Sequence, residues 1–224
     1  MNATPVHTAD GTEACAIPGP SGAIEAALTP ADPPARPVLA IVCHPLPTEG
    51  GSMHNKVVTM TARGLRESGV TTLRFNFRGV GASAGSFDDG HGEQDDLRAV
   101  AAWARRRLPD HALWLAGFSF GAWIALRTAE ELQASALITI APPVGRSWDF
   151  GDIRQPTTPW LLIQGEQDEL VDPAAVRQWV AGMARPPVLV EVDGASHFFH
   201  RKLVDLRGIV KHGVRGWLPE PPSA

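Results

Sequence analysis

Six short apolar runs, "PVLAIVC", "TTLRFNF", "ALWLAGF", "ALITIAP", "PWLLIQG" and "PVLVEVDG", recur along the chain with stretches of helical period between them. Runs this short and this rich in Val, Ile, Leu and aromatics suit strands buried on both faces, as in a parallel sheet covered by helices. The intervening segments fit the covering role. "NKVVTMTARGLRESG" carries apolar residues at three- and four-residue spacing, and "EQDDLRAVAAWARRRL" begins acidic and ends basic, as the helix dipole favours. "GAWIALRTAEEL", "PAAVRQWVAGM" and the closing "RKLVDLRGIVKHGVRGWL" continue the pattern. Ahead of them, "EACAIPGPSGAIEAALTP" reads as a hairpin at a sheet edge. The alternation predicts an α/β fold with a mostly parallel central sheet of about seven to eight strands and helices on both faces. At 224 residues a single domain over 1–224 is expected, with 218–224 as a loose tail.

The balance of 20 basic and 24 acidic residues shows no nucleic-acid footprint. No run reaches the roughly twenty apolar residues of a membrane span, and "MNATPVHTADGTEA" lacks the basic-then-apolar order of a signal segment. Cys15 and Cys43 are too few for a disulfide framework. A soluble cytoplasmic protein without nucleic-acid or membrane partners is expected.

One strand runs straight into chemistry. "ALWLAGF" leads through Ser119 into "GAWIALRTAEEL", so Gly117-Phe118-Ser119-Phe120-Gly121 lies at a strand-to-helix turn. That is the setting of a G-x-S-x-G nucleophile elbow, where small flanking residues allow a sharp turn that presents the serine hydroxyl. A second match, Gly81-Ala82-Ser83-Ala84-Gly85, has neither a strand leading in nor a helix leading out, and Ser83 reads as a loop residue. A serine needs a base, and the base an orienting acid. In the chain order serine, acid, histidine, the residues just past the next strand ends are Asp168 in "EQDELVDP" and His197 in "ASHFFH". Asp172, before Pro173, reads as a helix cap, and His200 as a residue of the closing helix. Oxyanion donors are expected from the N–H of Phe120 and, in "CHPLPTEGGSMHNK", from Leu46, since Pro45 and Pro47 have none. His44 reads as a shape-holding residue of that loop, and Ser52 as the cap of the following helix. Met53, Phe118 and Phe198 are the candidates for an apolar acyl pocket, with Phe120 and Phe199 also near the site in sequence, although aromatics at such positions are as often plain core. His54, Asp88, Asp89 and His91 match no ligand spacing, so no metal or other cofactor is expected.

Taken as a set, "HPLPTEGGSMHNKVV", "LRFNFRGVGASAGSFDDGHGE", "LAGFSFGAW" and "GASHFFH" resemble the α/β-hydrolase superfamily, and within it a small, lidless bacterial subfamily of serine hydrolases related to carboxylesterases. The resemblance spans nearly the whole chain. It implies Ser119, Asp168 and His197 as a triad, Leu46 and Phe120 as the oxyanion hole, and a small-molecule ester as substrate. His44-Pro45-Leu46 stands where many members carry His-Gly before the donor. A thioesterase or peptidase would use the same machinery, and a binding protein could keep the fold without the reaction. Only "PVGRSWDFGDIRQPTT" separates the two strands between which a cap commonly enters, so no cap domain is expected.

Overall fold

A computed structural model describes Thr8 and residues 11–221. Most of the N-terminal stretch read for a signal segment, and residues 222–224 of the expected tail, lie outside the described residues. Eight strands form one sheet: β1 (Glu13–Gly19), β2 (Gly22–Thr29), β3 (Val38–Cys43), β4 (Thr71–Phe75), β5 (Ala112–Phe118), β6 (Ala136–Ile140), β7 (Trp160–Gly165) and β8 (Val188–Val192). Their spatial order is β1-β2-β4-β3-β5-β6-β7-β8. The β1–β2 hairpin joins antiparallel to β4, and every later pairing is parallel. Strands β3, β5, β6 and β7 are buried along almost their whole length, which is why their sequences run apolar without alternation.

Helices α1 (Lys56–Arg66) and α5 (Leu203–Gly213) cover one face, where Val58, Leu65, Leu206 and Val210 pack against Val42, Ala116 and Ile138. Helices α2 (His91–Arg107), α3 (Phe120–Thr128) and α4 (Pro173–Ala181) cover the other, with Leu97, Ile124 and Val176 among their buried residues. After β3 the chain steps outward to β4. After β5 it steps the opposite way to β6. This reversal opens a crevice beyond the carboxyl ends of β3 and β5, where open α/β sheets hold their ligands.

Several local expectations shift. Asn55, not Ser52, caps α1, its side chain accepting from the Val57 N–H at 2.8 Å, while the Ser52 hydroxyl accepts from His54. Both are good cap residues, and the loop simply ends three residues later than the composition suggests. Asp172 caps α4 as expected, accepting from the Ala174 N–H at 2.9 Å. His200 sits in the turn before α5 rather than inside it. Of the segment expected to trail loosely, Leu218 packs against the core and the Pro219 carbonyl accepts a hydrogen bond from Arg36. The connection from β6 to β7 contains no helix, and no helix among the described residues is long and apolar enough to cross a membrane.

Candidate active site

Ser119 occupies the single residue between β5 and α3 with φ 52° and ψ −119°. That left-handed conformation costs about 1–3 kcal/mol for a residue with a side chain, so the surroundings must hold it. They do so by close approach. A Cβ on Gly117 would stand 2.2 Å from the Gly121 carbonyl oxygen, and one on Gly121 would stand 2.4 Å from that of His44 and 2.5 Å from that of Cys43. The two glycines therefore let helix, strand and the loop after β3 meet, and the turn projects the Ser119 hydroxyl out of the sheet. Helix α3 begins at once, with the Ser119 carbonyl accepting from Ala122 and Trp123.

His197, in the loop after β8, reaches the serine with Nε2 3.1 Å from the Ser119 Oγ. Its Nδ1 lies 2.8 Å from Oδ2 of Asp168, in the loop after β7. A carboxylate only accepts, so Nδ1 donates its proton to Asp168, and Nε2 is the ring nitrogen that faces the serine hydroxyl. Both partners are buried, His197 between the rings of Phe118 and Phe198 at 5.0 and 5.1 Å. Asp168 is held from four sides: Oδ1 accepts from the N–H groups of Leu170 and Val171 at 2.9 and 2.8 Å, and Oδ2 from His197 and from Gln164 Nε2 at 2.9 Å. Burial works to raise the Asp168 carboxyl, but the hydrogen bond and charge of His197, with the Val171 and Leu170 N–H groups, outweigh it and leave the carboxyl below its ordinary value. It stays ionised beside the imidazole.

The loop after β3 faces this trio. His44 shapes it: Nδ1 donates to the Pro45 carbonyl at 2.6 Å, and Nε2 accepts from the Phe77 N–H at 3.0 Å. Burial pushes His44 down to about 4, so the ring stays neutral and keeps both bonds. Leu46 and Phe120 line the same cavity as Ser119 and His197, a space of about 150 Å³. Phe120 opens α3, where first-turn N–H groups have no intrahelical acceptor. Leu46 alone among residues 45–47 has an N–H to offer.

The candidates for the acyl pocket separate. Phe198, 37% exposed, lines the cavity with Trp148, Leu170 and Val171. Phe118 is fully buried behind His197 and does not line it. Met53, 4% exposed, is tied through its backbone to Asn76 and Arg74 and borders a different groove, beside the β1–β2 hairpin. Ser83 is a loop residue whose hydroxyl donates to the Asn76 carbonyl at 2.7 Å and accepts from the Glu25 N–H at 2.9 Å. Three residues went unread in the sequence. Gln164 is buried against Asp168; Glu169 accepts from the His197 N–H at 3.0 Å; and Arg146, whose guanidinium donates to the Leu170 carbonyl, borders the cavity. The only signal for Gln164 was its place as the single polar side chain in "PWLLIQG".

The sheet, the strained serine at its switch point and the acid and histidine beyond later strands define the class known as the α/β hydrolases. Residues 40–151 match the family model for the alpha/beta hydrolase fold, and the chain belongs to this family. It is 57% identical to XC6422 of Xanthomonas campestris, an α/β serine hydrolase without a lid, covering 98% of this chain and 100% of that one with a TM-score of 0.91. An α/β serine hydrolase homologue from Coxiella burnetii is 42% identical over 94% of this chain and 100% of its own, with a TM-score of 0.88. The fold alone is shared with Est1E from Butyrivibrio proteoclasticus, 20% identical over 89% of this chain and 96% of that one, with a TM-score of 0.74.

Proposed function

We propose that the protein is a carboxylic-ester hydrolase of the cytoplasm, acting on short soluble esters through Ser119, His197 and Asp168. The observation that carries this reading is the continuous path from the strained Ser119 Oγ through the two ring nitrogens of His197 to an ionised, four-fold hydrogen-bonded Asp168. His197 Nε2 takes the serine proton as Oγ attacks the ester carbonyl, and the N–H groups of Phe120 and Leu46 meet the developing oxyanion. The imidazolium, steadied by Asp168, passes its proton to the leaving alkoxide as the C–O bond breaks. Water then repeats the sequence on the acyl-serine: His197 takes a water proton, the hydroxide attacks, and Oγ leaves with the proton returned to it. The helix-free connection from β6 to β7 and the small cavity favour substrates that need no lipid interface. The free thiols Cys15 and Cys43 suit a reducing compartment.

A fluorophosphonate probe should label the protein at Ser119, located by peptide mass spectrometry. Hydrolysis of p-nitrophenyl acetate should fall by several orders of magnitude in Ser119→Ala and survive in Ser83→Ala. Labelling elsewhere, or a dead Ser83 variant with normal folding, would sink the assignment.

A further inference from the structure

Beyond one wall of the site cavity lies a second pocket of about 620 Å³, and the two share Leu46 and Trp148. Trp148 is therefore a partition, with surface on both spaces. It is half-buried and held in place: its ring packs at 4.8 Å on Phe120 and 4.9 Å on Trp123, and the Trp123 indole N–H donates to the carbonyl of the next residue, Asp149, at 2.8 Å. Phe87, 5.9 Å from Phe120, supplies a further wall, so Phe87, Trp123 and Trp148 all present aromatic surface to the second pocket. At the rim, Asp89 and Asp149 share the pocket edge with His91 and with Arg127, the last stacked over Trp123 at 5.2 Å. The two carboxylates outnumber the one guanidinium, so the rim does not draw in an anion. Flat apolar walls under a mixed rim fit a neutral ring.

The chemistry decides which part of an ester enters. The leaving oxygen must receive its proton from His197 Nε2, so the alcohol portion belongs at the end of the cavity walled by His197 and Phe198. Neither residue lines the second pocket. The acyl portion therefore lies toward Leu46 and Trp148, and a linker running over the edge that the two cavities share would be needed to carry a ring against Phe87 and Trp123.

We propose that the preferred acyl group is aryl-tipped: an aromatic ring joined to the ester carbonyl by a linker of about two or three carbons, with the ring in the pocket behind Trp148. This rests on the hydrolase reading above and adds the substrate class. A linear chain of equal length gains less, because it contacts only one side at a time in an open pocket and loses rotamer freedom when held. A ring offset or edge-on to the indoles gains beyond its buried area.

The test compares kcat/KM for the p-nitrophenyl esters of 3-phenylpropanoic and heptanoic acids, which are of similar length. The aryl ester should lead by about tenfold, and Phe87→Ala should cut that lead by about 3- to 10-fold. Thr48→Trp, which puts an indole into the second pocket from the loop after β3, should abolish the lead even if Phe87→Ala fails to fold. Equal rates on the two esters, or a lead untouched by Thr48→Trp, would overturn the proposal. Fluorophosphonate labelling separates the two levels. A protein that labels at Ser119 without an aryl preference keeps the hydrolase reading and loses this one, whereas absence of labelling removes the hydrolase reading itself.

Discussion

Gln164 offers a perturbation whose effects on stability and on catalysis should part company. Its Nε2 donates to Asp168 Oδ2 at 2.9 Å, and because a carboxylate cannot donate, the amide must face it nitrogen-first. The Oε1 on the other side is buried without a hydrogen-bond partner among the described residues. Replacing Gln164 by Leu removes both features, along with a longer Nε2 bond to the Gly165 carbonyl at 3.3 Å, whose oxygen keeps the Asp168 N–H as a donor. A hydrogen bond to a charged group is worth about 1.5–3 kcal/mol, and an unsatisfied buried acceptor costs about 1–3 kcal/mol, so the two losses nearly offset. Unfolding should shift by about 1 kcal/mol or less, some 2–4 °C in a chain of this size.

Activity has no such compensation. Oδ2 is the oxygen that holds the His197 ring, and without Gln164 only the two backbone donors on Oδ1 restrain the carboxylate from turning. If most of that restraint is spent on aiming the imidazole, kcat/KM should fall by about 10- to 100-fold. Gln164→Glu sharpens the test. Two carboxyl groups in contact cannot both ionise easily, so the introduced one is held protonated and can still donate to Asp168. Esterase activity of that variant should approach the parent's on the acidic side and fall at alkaline pH where the parent stays active. A Leu variant that loses more than about 8 °C in thermal unfolding, or keeps full activity, would refute the offset argument, as would a Glu variant with the parent's alkaline limb.

Gly121→Ala should destabilise by about 3 kcal/mol or more, because its new Cβ would meet backbone carbonyls at 2.4 and 2.5 Å that no side-chain movement can relieve; unchanged thermal unfolding would rule out that close approach. His44 is buried and lowered to about 4 from 6.5, so the unfolded chain binds the extra proton first, and the stability His44 contributes at neutral pH is lost as pH falls from about 6.5 to about 4, up to about 3 kcal/mol. In urea titrations His44→Gln should therefore lose less stability than the parent across that interval, and parallel curves would contradict the assignment. Asp168, held below its ordinary value, acts in a lower window: its contribution is present above the unfolded carboxyl's range and is lost only as pH falls through its folded one.

Legibility followed the physics of each feature. The inner strands were readable because burial on both faces leaves unbroken apolar runs, and the elbow because close backbone approach demands glycines at fixed offsets from Ser119. Phe118 was misassigned against a rule the sequence does carry. Successive residues of a strand point to opposite faces, so Phe118 joins Trp114 and Ala116 in the layer of α1 and α5, while Leu113 and Leu115 enter the other layer. Met53 had no such rule available: it sits in a loop whose side-chain directions depend on the Asn76 amide and the Arg74 guanidinium, supplied by β4 and the residue just after it. Gln164 was hidden for the opposite reason, since one polar residue at the end of an apolar strand says nothing of what it faces until Asp168 folds back onto it.

The departure at His44-Pro45-Leu46 has a structural account of its own. The backbone before Leu46 is braced by the His44 ring, which bonds the Pro45 carbonyl on one side and the Phe77 N–H on the other. Proline at 45 and 47 then narrows the conformations open to the residue between them. That loop is also what Gly121 lies against, so the His44 carbonyl, the elbow and the first turn of α3 form one packed unit. Moving any one of them moves the Leu46 and Phe120 N–H groups relative to the Ser119 hydroxyl. The His44 brace, held neutral by burial, thus ties the loop facing Ser119 to a group whose protonation at low pH would break the Phe77 bond.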